Sequence, residues 1–159
     1  MNMRIQSPVR ASHSYIQRLF AGPGAVFPLL CPVREAEWIA DWHPELVVSA
    51  TGVAEPDCVF VTSDDRHRAV WYITRYEPEN GYVEMLKITP GVTAARITIQ
   101  LAPVGNYTEA SVTYTHTSLG PEGDAFVASF TEDHYERFMK AWESRLNHYL
   151  QTGAMLAEN

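Results

Sequence analysis

The chain contains 159 residues, of which 46% are hydrophobic and 19% are charged, and its formal net charge is −7. This length and composition predict one globular domain that spans residues 1–159. The negative charge argues against nucleic acid and anionic membrane surfaces as partners, because both would repel the protein. No segment approaches the ~20 consecutive apolar residues of a membrane span, and the polar N-terminus lacks the apolar core of a signal peptide. We therefore expect no stable membrane insertion and a cytoplasmic location.

The N-terminal part of the chain is predicted to form one strand and two short helices. The first segment mixes β-formers with polar side chains, which is typical of a strand, and a Gly-Pro-Gly sequence then interrupts it. Pro28 and Pro32 exclude one continuous helix after this break, because proline fits only the first turn of a helix. The predicted elements are a strand over 9–20, a short helix near 24–30 and a second short helix from 32 or 33 to 40.

From Glu45 the hydrophobic pattern changes to a period of two, which indicates strands with one buried face. Asn80 and Gly81 predict a hairpin turn, since both residues tolerate positive φ at low cost. Consecutive strands joined by short turns form an antiparallel meander. Six strands are predicted, near 45–51, 57–63, 67–76, 81–88, 93–102 and 107–117. The expected inner face of the last strand carries Ala110, Val112, Tyr114 and His116.

The C-terminal part is predicted to be a long amphipathic helix that ends at Gly153, a residue suited to the left-handed cap position. Phe126 and Phe130 lie off its apolar stripe, which predicts a lead-in turn or helix over 122–128 followed by a bend. We expect Ser129 and Glu132 to form the capping box of the main helix. The lead-in could act as a lid. The stripe, with spacings of i, i+3, i+4 and i+7, consists of Tyr135, Phe138, Met139, Trp142, Leu146, Tyr149 and Leu150.

This order of elements predicts an α+β fold with one antiparallel sheet. The long helix has one obvious place to bury its apolar stripe, which is the concave face of that sheet. A curved sheet that grips a single helix seldom fills the space between them. We therefore expect a gap there in which a small molecule can bind.

No motif in the chain points to a metal, a cofactor or a covalent mechanism. The six histidines are spread out without an HxxxH or HExxH pair, whereas a metal site needs its ligands at one locus. Cys31 and Cys58 share no CxxC spacing, and we interpret both as small buried residues. The chain has no GxSxG, GxGxxG or Walker motif. We expect neither a metal site nor a cofactor.

Aromatic residues are the main candidates for a ligand site, because Trp and Tyr combine a large apolar body with one hydrogen-bonding tip. Trp38 and Trp42 lie between the first two strands, where they would either plug the end of the core or line a pocket. The predicted ligand-binding residues are Trp38, Trp42, Trp71, Tyr114, His116, Phe126, Phe130, Tyr135 and Met139.

Three polar residues are candidates for catalysis. Tyr114 and His116 share the expected inner face of the last strand, while the sequence leaves the register of Glu84 open. If the three side chains converge inside the sheet, burial would shift their pKa values and make them candidates for acid–base roles.

The order of elements resembles the START-like (SRPBCC) superfamily, whose fold is called helix-grip or Bet v 1-like. The segment AGPGAVFPLLCPVREAEWIADW resembles the part in which these proteins place their paired short helices, and FVASFTEDHYERFMKAWESRLNHYL resembles the terminal helix of bacterial polyketide cyclase/dehydrase-like members. The resemblance covers about residues 8–152. It implies a β-α-α-β6-α helix-grip fold of about seven strands with an elongated apolar cavity. The matching residues of the first segment are Phe27, Pro28, Leu30, Cys31, Pro32, Glu35, Trp38 and Trp42.

The resemblance leaves three classes of function open. The first is binding of a hydrophobic small molecule of aromatic, polyketide-like or lipid-like character by a monomer or homodimer. The second is a cofactor-free cyclase or dehydratase, in which His116 or Glu84 would move a proton and the pocket would fold the substrate into a reactive geometry. The third is a chaperone-type interaction module, which would bind through an exposed apolar face.

Overall fold

The computed structural model describes residues 2–157 and shows a seven-stranded antiparallel sheet curved around one long helix. The strand order is β1-β7-β6-β5-β4-β3-β2, so the first two strands in the chain form the two edges. This architecture confirms the predicted α+β helix-grip fold. The strands are β1 (Arg10–Leu19), β2 (Leu46–Val48), β3 (Val59–Ser63), β4 (Arg68–Glu77), β5 (Tyr82–Thr89), β6 (Thr93–Val104) and β7 (Tyr107–Ser118), and the helices are α1 (Pro23–Val26), α2 (Pro121–Ser129) and α3 (Glu132–Thr152).

Two short helical segments follow β1 as predicted, the first about two turns long and the second about one. The first combines α1 with a 3₁₀ turn over Phe27–Leu29. The second is a 3₁₀ turn over Arg34–Glu37, so the prediction that it continues to Ala40 is wrong. Trp38 ends it, because its ring is fully buried against α3 and its indole N–H donates to the carbonyl of Leu29 at 3.0 Å. Packing of this one side chain outweighs the local helical tendency.

One predicted strand needs correction, and one predicted turn is confirmed in place. β2 is shorter than expected, because the Glu55 carboxylate accepts hydrogen bonds from the Ser49 hydroxyl and from the Thr51 N–H at 2.9 Å, and this folds the chain into a loop. At the β4–β5 connection a 3₁₀ turn over Pro78–Asn80 precedes Gly81, and only Gly81 has a positive φ, of 63°. The hairpin turn predicted at Asn80 and Gly81 is therefore confirmed in place, although only Gly81 uses the positive φ that both residues tolerate.

The strand register confirms the predicted inner face of β7 and settles that of β5. Ala110, Val112 and His116 are buried and Tyr114 is half-buried. In β5 the buried residues are Val83, Met85 and Thr89, so Lys87 shares their inward side, since side chains alternate along a strand. Glu84 and Leu86 face outward for the same reason.

The C-terminal region confirms the predicted bend between a lead-in helix and a main helix that ends at Gly153. The predicted cap is wrong. Thr131 caps α3 by accepting a hydrogen bond from the His134 N–H at 3.2 Å. Ser129 is the last residue of α2, and its hydroxyl donates to the Phe126 carbonyl instead. No helix within residues 2–157 is long and apolar enough to cross a membrane.

Polar side chains fix α3 to the β1–β7 side of the sheet. The buried Gln17 of β1 donates to the Met139 carbonyl at 3.1 Å. Asn147 accepts from the Phe20 N–H and donates to the Arg18 carbonyl, both at 2.9 Å. The Tyr135 hydroxyl donates to the carbonyl of Val112 in β7. These bonds hold α3 over one half of the sheet, and the inner faces of β3 to β6 lie under its other side.

Helix α2 packs tightly against the β5–β6 turn through Gly123. A Cβ added at Gly123 would lie 1.8 Å from the Val92 carbonyl oxygen and 2.6 Å from the Ser118 hydroxyl. The obstacle is backbone, so the helix itself would have to move.

We predict that Gly123→Ala lowers the free energy of unfolding by about 1–3 kcal/mol, because the added methyl group displaces α2. Chemical denaturation followed by far-UV circular dichroism measures the change. Gly24→Ala in α1 is the matched control, since no heavy atom lies within 4 Å of a Cβ there. Equal stabilities of the two variants would contradict the close approach at Gly123.

Candidate functional site

Two adjoining pockets lie between the sheet, α3 and the loops at one end of the fold. The inner pocket has a volume of about 240 Å³ and the outer pocket about 920 Å³. Trp42, Trp71 and Lys87 contribute to the walls of both. The inner pocket is lined by Pro32, Glu35, Ile39, Trp42, Phe60, Trp71, Met85, Lys87, Ile97, Ile99, Tyr114, Phe138, Trp142 and Arg145.

Three aromatic rings form a fixed wall where the two pockets meet. Phe60 and Trp71 stack with ring centroids 5.0 Å apart, and Trp42 meets both of them edge-on at 6.3 and 6.1 Å. The indole N–H of Trp42 donates to the Pro32 carbonyl at 2.7 Å, and that of Trp71 donates to the Thr62 hydroxyl at 2.9 Å. Because these polar tips already have partners, the rings offer mainly apolar surface to a ligand.

Glu35, Lys87 and Tyr114 at the inner pocket have shifted pKa values because protein atoms surround them. Glu35 is half-buried toward the pocket, and desolvation of its carboxyl group raises its pKa to about 8. Desolvation lowers the pKa of Lys87, while the negative charge of Asp64 partly opposes this effect. The pKa of Tyr114 is raised by desolvation and by the charge of Glu35. Glu35, Lys87 and Tyr114 are thus all biased toward their neutral forms.

His116 lies under α2 at the wall of the outer pocket and is only 6% exposed. The rings of Phe126 and Phe130 stand edge-on to its imidazole at 4.9 and 4.4 Å. Burial, together with the positive charge of Lys87, lowers its pKa to about 4. Within residues 2–157 its Nδ1 has no hydrogen-bond partner. His116 is therefore a neutral imidazole at physiological pH.

An ion-pair cluster joins α2 to the β3–β4 turn across the outer pocket. The Glu122 carboxylate lies 2.8 Å from the Arg66 guanidinium and 2.9 Å from Nε2 of His67. Glu122 and His67 both line the outer pocket, as does Phe126 of α2. α2 therefore borders the outer pocket, and its role as a lid stays a prediction.

The structure places five of the nine predicted ligand-binding residues on a pocket wall. Trp42 and Trp71 line both pockets, Tyr114 lines the inner one, and His116 and Phe126 line the outer one. Their role in binding stays a prediction.

The other four predicted ligand-binding residues lie in the packed core and contribute to neither pocket wall. Trp38 is buried behind Trp142, with stacked rings 5.7 Å apart. Tyr135 and Met139 anchor α3 on the sheet, and Phe130 packs between His116 and Tyr135.

The structure does not bring the three catalytic candidates together. Glu84 faces the outer side of the sheet, where its carboxylate accepts hydrogen bonds from the Thr74 hydroxyl at 2.9 Å and the Tyr82 hydroxyl at 3.3 Å. The possibility that it converges with Tyr114 and His116 is wrong, because it alternates with the buried Val83 and Met85. Tyr114 and His116 are neighbours, with ring centroids 5.9 Å apart.

Sequence reasoning missed three ionisable residues at the inner pocket, Glu35, Lys87 and Arg145. Lys87 lies two residues after Met85 in β5, so the period of two places both side chains on the same face of the strand. Glu35 had no comparable signal, because a 3₁₀ turn of four residues is too short to show a periodic face. In residues 2–157, no three His, Cys, Asp or Glu side chains are grouped so that they could hold a metal ion.

Comparisons with known proteins identify relatives in structure rather than in sequence. No family model and no curated protein matches the chain. Norcoclaurine synthase from Thalictrum flavum aligns with a TM-score of 0.68 at 10% identity, over 96% of each chain. The crystal structure of Ara h 8.0201 aligns with a TM-score of 0.63 at 9% identity, over 90% of this chain and 99% of that one.

DynU16, a protein of the dynemicin biosynthetic locus, aligns with a TM-score of 0.60 at 18% identity. The alignment covers 90% of this chain and 48% of DynU16, so the chain spans about half the length of that protein. A second structure of norcoclaurine synthase, with a TM-score of 0.61 at 11% identity over 92% of this chain and 95% of that one, contains dopamine and hydroxybenzaldehyde. Together these likenesses show that the chain has the Bet v 1-like helix-grip fold, as the resemblance in the sequence implies.

We predict that Glu35→Gln stabilises the protein increasingly as the pH rises. The Glu35 pKa is raised from 4.5 to about 8 in the folded state, so folding favours the protonated acid and its stability contribution is lost above pH 4.5. The variant should gain about 2 kcal/mol over the parent at pH 8, less than the full shift implies because water in the pocket screens the charge. Denaturant titrations from pH 4.5 to 9 measure the difference.

Glu37→Gln is the control for this experiment, since Glu37 lies on the same turn but is exposed and pairs with Arg34 at 2.6 Å. That ion pair lowers its pKa, so the variant should show no gain at high pH. A Glu35→Gln gain that is flat with pH would contradict the raised pKa.

Proposed function

We propose that the protein binds a hydrophobic, preferably aromatic, small molecule in the inner pocket and that the outer pocket is its entrance. The observation that carries this proposal is the inner pocket itself, a space of about 240 Å³ behind the rings of Trp42, Trp71 and Phe60. Ten of its fourteen lining residues are apolar. Pockets of this composition are typical of small-molecule sites.

The dimensions of the inner pocket favour a ligand of one or two rings. A buried aromatic group of this size removes roughly 150–250 Å² from water, which supplies roughly 4–6 kcal/mol at 25 cal/mol per Å² before the cost of association. The stacked and edge-on rings of the wall offer faces that suit a flat aromatic ligand. A longer molecule would extend past Lys87 into the outer pocket.

The fold comparisons support the proposal by analogy. Norcoclaurine synthase has been crystallised with two small aromatic molecules, and it shares the fold of this chain. Shared fold alone does not define function, so the pocket and its lining are the main support for ligand binding.

The second candidate is a cofactor-free enzyme that acts on such a ligand. Glu35, Tyr114 and Lys87 favour it, because three ionisable groups with shifted pKa values at one pocket are typical of catalytic sites. Because Glu84 faces outward, we assign the acid–base roles of this candidate to Glu35, Tyr114 and Lys87. The third candidate class, an interaction module, should have a filled interior, so the presence of the inner pocket argues against it.

We predict that Met85→Trp weakens binding of 2-naphthalenemethanol at least about tenfold, a loss of ~1.4 kcal/mol, because the larger side chain fills the inner pocket. Isothermal titration calorimetry measures the affinity. Leu86→Trp is the matched control, since Leu86 is the next residue in β5 and faces the outer side of the sheet. Binding that is equally strong in both variants, or absent from the parent protein, would overturn the proposed site.

A further inference from the structure

Lys87 is a lysine in an unusual position. It lies on the inner face of β5 and lines both pockets, with its Nζ 4.8 Å from the centroid of the Trp71 ring. Within residues 2–157 no carboxylate lies within 4.0 Å of this amine. A buried ammonium without a paired carboxylate is costly, and the cost is reduced when the group loses its proton. Desolvation accordingly lowers the pKa of Lys87.

Lys140 provides a contrast within the same chain. It is the only other lysine in the sequence. Its side chain is exposed on α3 and pairs with Glu136 at 2.7 Å. This ion pair raises the pKa of Lys140. The chain therefore holds one lysine biased toward the free amine and one biased toward the ammonium ion.

The groups around Lys87 include an acid that is protonated near neutral pH. Glu35 lines the same inner pocket, and burial raises its pKa to about 8. Asp64 and His116 face Lys87 from the outer pocket, and Tyr114 and Arg145 line the inner one. An amine biased toward its free form and a protonated carboxylic acid in one apolar pocket are the two groups that imine formation needs.

We propose that Lys87 forms a Schiff base with a hydrophobic aldehyde bound in the inner pocket, with Glu35 as the proton donor. This rests on the proposed function, since the aldehyde must first bind there. The lone pair of Nζ attacks the carbonyl carbon, and a proton moves from nitrogen to the carbonyl oxygen to give a carbinolamine. Glu35 then protonates that hydroxyl group, which leaves as water while the C=N bond forms.

The products of this sequence are a protonated imine on Lys87, a Glu35 carboxylate and one water molecule. No oxidant or reductant takes part. The iminium and the carboxylate appear together in the same pocket, so each charge is formed near an opposite one. Hydrolysis reverses the steps and returns the aldehyde.

Reductive trapping with 2-naphthaldehyde and sodium cyanoborohydride at pH 7 tests the proposal on the full-length protein. Of the two lysines, we expect Lys87 to carry the naphthylmethyl group in peptide mass mapping, at a rate at least about tenfold above that of Lys140, because Lys87 is biased toward the free amine and Lys140 toward the ammonium ion. Excess 2-naphthalenemethanol should slow the reaction at Lys87 and leave that at Lys140 unchanged.

Three variants complete the test. Lys87→Met should abolish the adduct, since it replaces the half-buried amine by an apolar chain of similar volume. Lys140→Met should react like the parent protein. Glu35→Gln should slow trapping at Lys87, because it removes the proton donor.

The two proposals fail in different ways. If 2-naphthalenemethanol binds and the aldehyde is trapped no faster on Lys87 than on Lys140, the Schiff base is overturned and the binding function stands. If 2-naphthalenemethanol does not bind to the parent protein, the proposed function itself is overturned. Trapping at Lys87 that the alcohol does not slow would place the reaction outside the pocket and would contradict the inference.

Discussion

The polar attachment of α3 to one side of the sheet is the constraint on which the other features depend. The Gln17 side chain of β1 bonds to the backbone of α3, and the Asn147 side chain of α3 bonds to the backbone at the end of β1. The Tyr135 side chain joins the helix to β7. An unpaired polar group costs about 1–3 kcal/mol when buried, so these bonds fix where the helix lies. Its remaining apolar face then spans the curved sheet without filling it, and the inner pocket is the space that results.

The same geometry explains why charged groups at the pocket are biased toward neutrality. Aromatic and aliphatic side chains surround Glu35 and Lys87 on several sides and replace the water that would stabilise their charges. Desolvation raises the pKa of an acid and lowers that of an amine, so one environment moves the two groups in opposite directions. A pocket for a wholly apolar ligand would need neither the Glu35 carboxyl group nor the Lys87 amine. The presence of these two groups favours a ligand with a polar end that contacts them inside the pocket.

The fold was predictable from the sequence because its signals are local and repeated. Alternation in β6 and β7, the stripe on α3 and Gly153 at its end each specify one element, and their order leaves one simple way to pack them. The candidate site was less predictable. A helical stripe shows that Met139 and Tyr135 face the sheet, but it does not show whether they pack against it or line a gap. Conversely, Glu35 becomes a pocket residue only through the fold of a single 3₁₀ turn.

The central claim is that the space between α3 and the sheet is open to a flat apolar guest. A crystal structure of the protein soaked with 2-naphthalenemethanol tests it most directly. We expect to find the naphthalene ring in the inner pocket, against Trp71 and Met85 and within reach of Lys87. A structure in which Met85, Phe138 and Trp142 close that space, and no ring is found between them, would contradict the account.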